Sequence, residues 1–149
     1  MTIYKDRLAA RHEIKIRDQQ YERDRQIARE AFQRESILAL QTAVSNLVKS
    51  VYEELDRLLA ELHESDAWPA RQWETPTAQG WSEAVLQLQL SAARVLDEGL
   101  RELAQEIQHS ARAAIWAEDL ATARQHSDRV EPLLVRFNDT ANRTFVSLF

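Results

Sequence analysis

The chain contains no cysteine. That excludes a disulfide framework, thiolate catalysis and a Cys-ligated zinc site, and it leaves redox chemistry silent about compartment. Glycine and proline are scarce, two and three in 149 residues. Turns draw on both residue types, so a chain this poor in them has few and long elements. Two isolated glycines also cannot build the Gly-rich loop that cradles a phosphate or a dinucleotide. No window approaches the apolar length needed to span a bilayer, and the start "MTIYKDRLAARHE" lacks the apolar run of a signal peptide. A cytoplasmic chain with no membrane partner is the expectation. Charge of a single sign is lacking too. Residues 1–35 carry nine Lys or Arg against seven Asp or Glu, and residues 36–149 carry ten against seventeen. Basic residues interleaved with carboxylates do not make a nucleic-acid footprint, so no nucleic acid is expected as partner.

What is present is helical periodicity. The first proline is Pro69 and the first glycine Gly80, so nothing in residues 5–64 interrupts a backbone hydrogen-bond ladder. The second half of that stretch repeats apolar residues at 4-3 spacing, through Ile37, Gln41, Val44, Val48, Val51, Leu55, Leu58 and Leu62. Leu38, Leu40, Leu47, Tyr52 and Leu59 widen the face beyond a two-residue seam. Residues 63–83 form a connection punctuated by Pro69, Pro76 and Gly80 and holding three of the four tryptophans. Ser82, followed by Glu83, reads as the cap of a second helix whose apolar spacing runs from Val85 to Leu120, interrupted only by Gly99. After a break near "HSDRVEP", a last helix starting at Pro132 carries Leu134, Phe137, Ala141, Phe145 and Leu148 on one stripe.

These elements predict an all-α single domain over residues 1–149: a long antiparallel helical hairpin with a shorter third helix near one end. The alternative is a compact four-helix bundle in which the second helix breaks at Gly99. In the hairpin, residues 1–18 extend past every partner as a polar, protruding arm. Ile27, Ala28, Ala31 and Phe32 then meet Leu134, Phe137 and Phe145. The i,i+4 pairs Glu13 with Arg17 and Glu30 with Arg34 support the helix where little covers it. Two helices cannot bury so wide an apolar face, so Ile37, Leu40, Val44, Leu47, Val48, Val51 and Leu55 are candidates for self-association, giving a homo-oligomer, a dimer.

Only one pattern resembles metal chemistry. Glu106 and His109 form Glu-x-x-His, the spacing that places two ligands on one helix face in di-iron bundles. Those sites need a second such motif and two more glutamates, and the sequence lacks them. The run His126, Ser127, Asp128 is local, and neighbouring residues at a helix end point in different directions, so it is no catalytic relay. The expectation is no enzyme, no metal and no cofactor, with an enzyme or metal-binding bundle at Glu106 and His109 as the alternative. Trp68, Trp73 and Trp81, with Arg71 among them, either cap an open bundle end or anchor a protein partner. They are candidate partner-binding residues, together with Tyr4, Leu8 and Ile14 of the polar arm.

The run "ERDRQIAREAFQRESILALQTAVSNL" resembles a charged helix followed by Ala-Phe-Gln-Arg-Glu and Leu-Ala-Leu-Gln in small, uncharacterised helical proteins of actinobacteria, over about residues 17–50. The resemblance implies a bacterial, all-helical chain and contributes no functional residue. Architecture and the failed search for chemistry together point to a non-enzymatic protein-interaction, structural or regulatory subunit that self-associates.

Overall fold

The structure, a computed structural model, describes residues 2–69 and 76–149. Among them are five α-helices and no strand: α1 (Thr2–Ser65), α2 (Pro76–Ala92), α3 (Glu98–Ile115), α4 (Leu120–Ser127) and α5 (Val130–Ser147). The all-α reading holds. Of the two arrangements, the compact four-helix bundle is the one found, and the long hairpin is not.

α1 is a single helix of 64 residues, as the absence of Pro and Gly allows. It stops where Asp66 adopts a left-handed conformation, φ 58, and its N–H donates back to the Leu62 carbonyl at 2.8 Å. Aspartate is one of the few non-glycine residues that tolerate this conformation, so it ends the helix where no glycine is available. α2 begins at Pro76, six residues before the expected Ser82. Proline suits a first helical turn because its missing N–H has no partner there anyway. Ser82 therefore lies inside the helix, where its hydroxyl donates to the Ala78 carbonyl at 3.2 Å.

The reversal after α2 does not lie at Gly99. The chain turns over residues 93–97, before Gly99 is reached. Asp97 then caps α3, its Oδ1 accepting the Leu100 N–H at 2.9 Å, and Glu98 lies in the positive first turn. Gly99 sits inside α3, where an added Cβ would come to 3.3 Å of that capping oxygen. Glycine thus makes room for the cap and does not break the helix. A further interruption, absent from the sequence reading, separates α3 from α4, which Asp119 caps by accepting the Thr122 N–H at 2.7 Å. That backbone hydrogen bond holds the Asp119 carboxyl below its ordinary range.

Gln33 secures the α2–α3 reversal. It is buried, its Nε2 donates to the Arg94 carbonyl at 3.1 Å, and its Oε1 accepts the Leu96 N–H at 2.9 Å. One amide so satisfies two backbone groups of a turn that lies against α1. Gln33→Ala is expected to destabilise the bundle by about 2 kcal/mol, two neutral hydrogen bonds and their desolvated partners. Chemical denaturation checks this, and a loss within error of zero would mean that water replaces the clamp.

α2 therefore runs down α1, α3 runs back up, and α5 runs down again, with α4 in the last connection. α1 and α3 cross the centre, while α2 and α5 flank them without touching each other. The lower core gathers Ile37, Leu40, Val44 and Leu47 of α1 with Leu88 of α2, Leu100 and Ile107 of α3, and Phe137 of α5. The upper core is narrower, with Val51, Leu55 and Leu58 against Ala111, Ala114 and Ile115. Alanine on α3 lets the helices approach closely there.

This topology covers the face expected to self-associate. Ile37, Leu40, Val44, Leu47, Val48, Val51 and Leu55 are all buried within the one chain. The expectation counted two helices at this level, whereas α2, α3 and α5 supply three neighbours to α1. The flanking Leu38 and Tyr52 face outward instead.

Candidate interaction surfaces

The feature that departs most from an ordinary bundle is the first part of α1. Every residue from Thr2 to Arg29 is exposed. At a rise of 1.5 Å per residue, those 28 residues project about 42 Å. The arm is longer than the expected residues 1–18 because α2 turns back at the level of Gln33 and α5 ends beside Arg34. The Arg34 Nη1 donates to the Leu148 carbonyl at 2.6 Å, and its guanidinium lies 4.6 Å from the Phe149 ring centre. The expected packing of Ile27 and Phe32 on the last helix is therefore absent, and the two side chains are 62% and 50% exposed.

Sequence explains why none of the described residues covers the arm. Stepping down from Ile37 at helical spacing, the stripe that faces the bundle core becomes Gln33, Glu30, Gln26, Glu22, Gln19, Lys15 and His12. Such a stripe has little apolar area to bury. The expected pairs Glu13 with Arg17 and Glu30 with Arg34 do not form. Arg25 instead approaches Glu22 at 3.8 Å, and Gln26 donates to Glu30 at 2.9 Å. The apolar residues that remain, Ile3, Tyr4, Leu8, Ile14, Ile16, Tyr21 and Ile27, all face solvent at 42–71% exposure.

The opposite end of the bundle holds the tryptophans. Trp68 is half-buried and its Nε1 donates to the Ala117 carbonyl at 2.8 Å, tying the segment after α1 to the α3–α4 turn. Trp81 is half-buried between the two core clusters. Both rings thus cap the open bundle end, which is the structural reading of the pair. Arg71 and Trp73 lie outside the described residues. A shallow cleft of about 370 Å³ between Leu58, Trp68, Ile115 and Trp116 is what this end leaves open.

One charged group escaped the sequence reading. Glu54 is buried at 3% exposure and accepts from Arg57 Nη2 at 2.6 Å and Nε at 3.2 Å, while Arg57 also pairs with Glu61. The hydrogen bond with Glu54 raises the Arg57 pKa above its ordinary value. Helical spacing does set it apart from the exposed Glu53 beside it, because the steps from Leu47 through Val51 to Leu58 pass through position 54. A charged residue on that buried stripe is the signal that marks it.

Glu106 and His109 are exposed on α3, at the rim of a cleft shared with Asp128 and Arg129. Among the described residues no group of three or more His, Asp or Glu side chains is placed to hold a metal ion. The pair therefore gains no further ligand from the fold. No described helix is long and apolar enough to cross a membrane. No family model, curated protein or solved structure matches the chain.

Proposed function

We propose that this chain is a non-enzymatic protein-interaction subunit in which the bundle is a mount and the arm of α1 is the binding element. One observation carries the reading: a continuous helix of about 42 Å on which every residue is exposed, bearing large apolar side chains that nothing in the described chain covers. A helix without tertiary contacts draws little stability from its own propensity and charge pairs. Docking against another chain would bury those side chains and order the arm together. A bacterial, cytoplasmic setting accompanies the proposal, on the resemblance and the composition.

The lysines supply a test. There are three, Lys5 and Lys15 on the arm and Lys49 on the outer face of the bundle, where its side chain is 76% exposed. Amine-reactive cross-linking in living cells is expected to join other polypeptides to Lys5 and Lys15 in preference to Lys49. Equal capture at all three would remove the arm's special role. Removing residues 2–28 is further expected to leave the melting temperature of the bundle within about 2 °C of the full chain, since no buried apolar area is lost. A larger drop, followed by circular dichroism, would show that the arm contributes to folding.

A further inference from the structure

We infer that the arm pairs with the arm of a second copy of this chain, antiparallel and in one register. The inference rests on the arm's role as a binding element and names its occupant. On the side of α1 away from the bundle core, Ile3, Ala10, Ile14, Tyr21 and Ala28 recur at alternating steps of a heptad seam. Past the half-buried Ala31 the same line continues above the arm through Glu35, Leu38, Thr42, Lys49 and Tyr52, all exposed, so the chain's own helices leave most of it open. Three charged residues interrupt the seam on the arm: Arg7, Arg17 and Asp24. None of them has an ion-pair partner among the described residues.

These three charges select the pairing. In a parallel dimer each would face its own copy, giving two arginine–arginine layers and one aspartate–aspartate layer. In an antiparallel two-fold dimer residue i meets j while j meets i. Setting Arg7 against Asp24 of the second copy forms an ion pair twice and determines every other layer. Ala10 then faces Tyr21, and Ile3 faces Ala28, so a small residue meets a large one at each. Ile14 faces Arg17, whose aliphatic stem covers it while the guanidinium reaches water. Beside the seam, Arg11 comes alongside Asp18 and Tyr4 alongside Arg25, and no like charges meet.

Neighbouring registers are worse. A slip of one heptad in one direction puts Arg7 against Arg17. The opposite slip sets Asp24 against Ile14 and leaves Arg7 facing Ala31. The chosen register also fits the bundles, because Ile3 of one copy reaches Ala28 of the other, just before α1 enters its bundle at Glu30. The two bundles then lie at opposite ends of a paired rod, where they do not collide.

The test uses the full chain and its lack of cysteine. Sedimentation equilibrium from micromolar to sub-millimolar concentration is expected to show a dimer. D24R should shift it to monomer, because Arg7 then meets Arg, and R7D/D24R should restore the dimer. All these positions are exposed, so unchanged thermal melting would confirm that each variant stays folded. Under oxidation, chains carrying A10C mixed with chains carrying Y21C should form a disulfide-linked pair, and A10C alone should not. A monomer at every concentration, a dimer indifferent to D24R, or cross-linking of A10C with itself would each overturn the pairing. A monomer whose Lys5 and Lys15 still capture other polypeptides would overturn this inference alone. A monomer without such capture would overturn the arm's binding role as well.

Discussion

Phe137→Ala is expected to cost about 4 kcal/mol, the usual loss on truncating a fully buried Phe and leaving a cavity. On a bundle of this size that lowers the melting temperature by roughly 15 °C. Phe137 is 0% exposed and is the only large side chain that α5 buries completely together with Val130 and Ala141. Of the other apolar residues of the helix, Leu133, Leu134 and Phe145 are only partly covered and Val135 and Val146 are exposed. Losing the ring therefore loosens the attachment of α5 as a whole. Phe137→Leu, which keeps most of the volume, should cost less than about 1.5 kcal/mol. Denaturant titration of both variants separates cavity formation from a general intolerance of change. An Ala variant within about 1 kcal/mol of the parent would mean that α5 is a peripheral helix and that the core lies elsewhere.

Arg57→Met is expected to destabilise the protein by about 3 kcal/mol, because it leaves the Glu54 carboxylate inside the upper core without its cation. Among the described residues Arg57 is the only basic residue that bonds Glu54, and it does so through two nitrogens. The decisive comparison is the double variant Glu54→Met with Arg57→Met. Replacing both members of a buried pair with apolar groups is often neutral or stabilising, since the desolvation penalty of both charges disappears. The double variant is thus expected within about 1 kcal/mol of the parent and well above the single one. Single and double variants of equal stability would show that Glu54 finds another partner when Arg57 is absent.

Several features of this protein follow from sequence because their cause is local in the chain. The all-helical class comes from the scarcity of Gly and Pro and from the 4-3 spacing of Ile37, Val44, Val48, Val51 and Leu55. The uninterrupted α1 and its polar beginning are equally local, since a stripe of Gln and Glu below Gln33 has nothing to bury wherever the other helices go.

Other features depend on where distant residues meet, and only the tertiary structure decided them. The reversal after Ala92 is marked by Asp97, a capping residue among other plausible helix residues, and it becomes compulsory only when Gln33 receives the turn. With that reversal α3 and α5 close over α1, so the face expected to bind a second chain becomes this chain's own core, and the uncovered part of α1 grows to include Ile27. Helical periodicity states which residues share a face, but the length of each neighbouring helix decides whether that face meets protein or water.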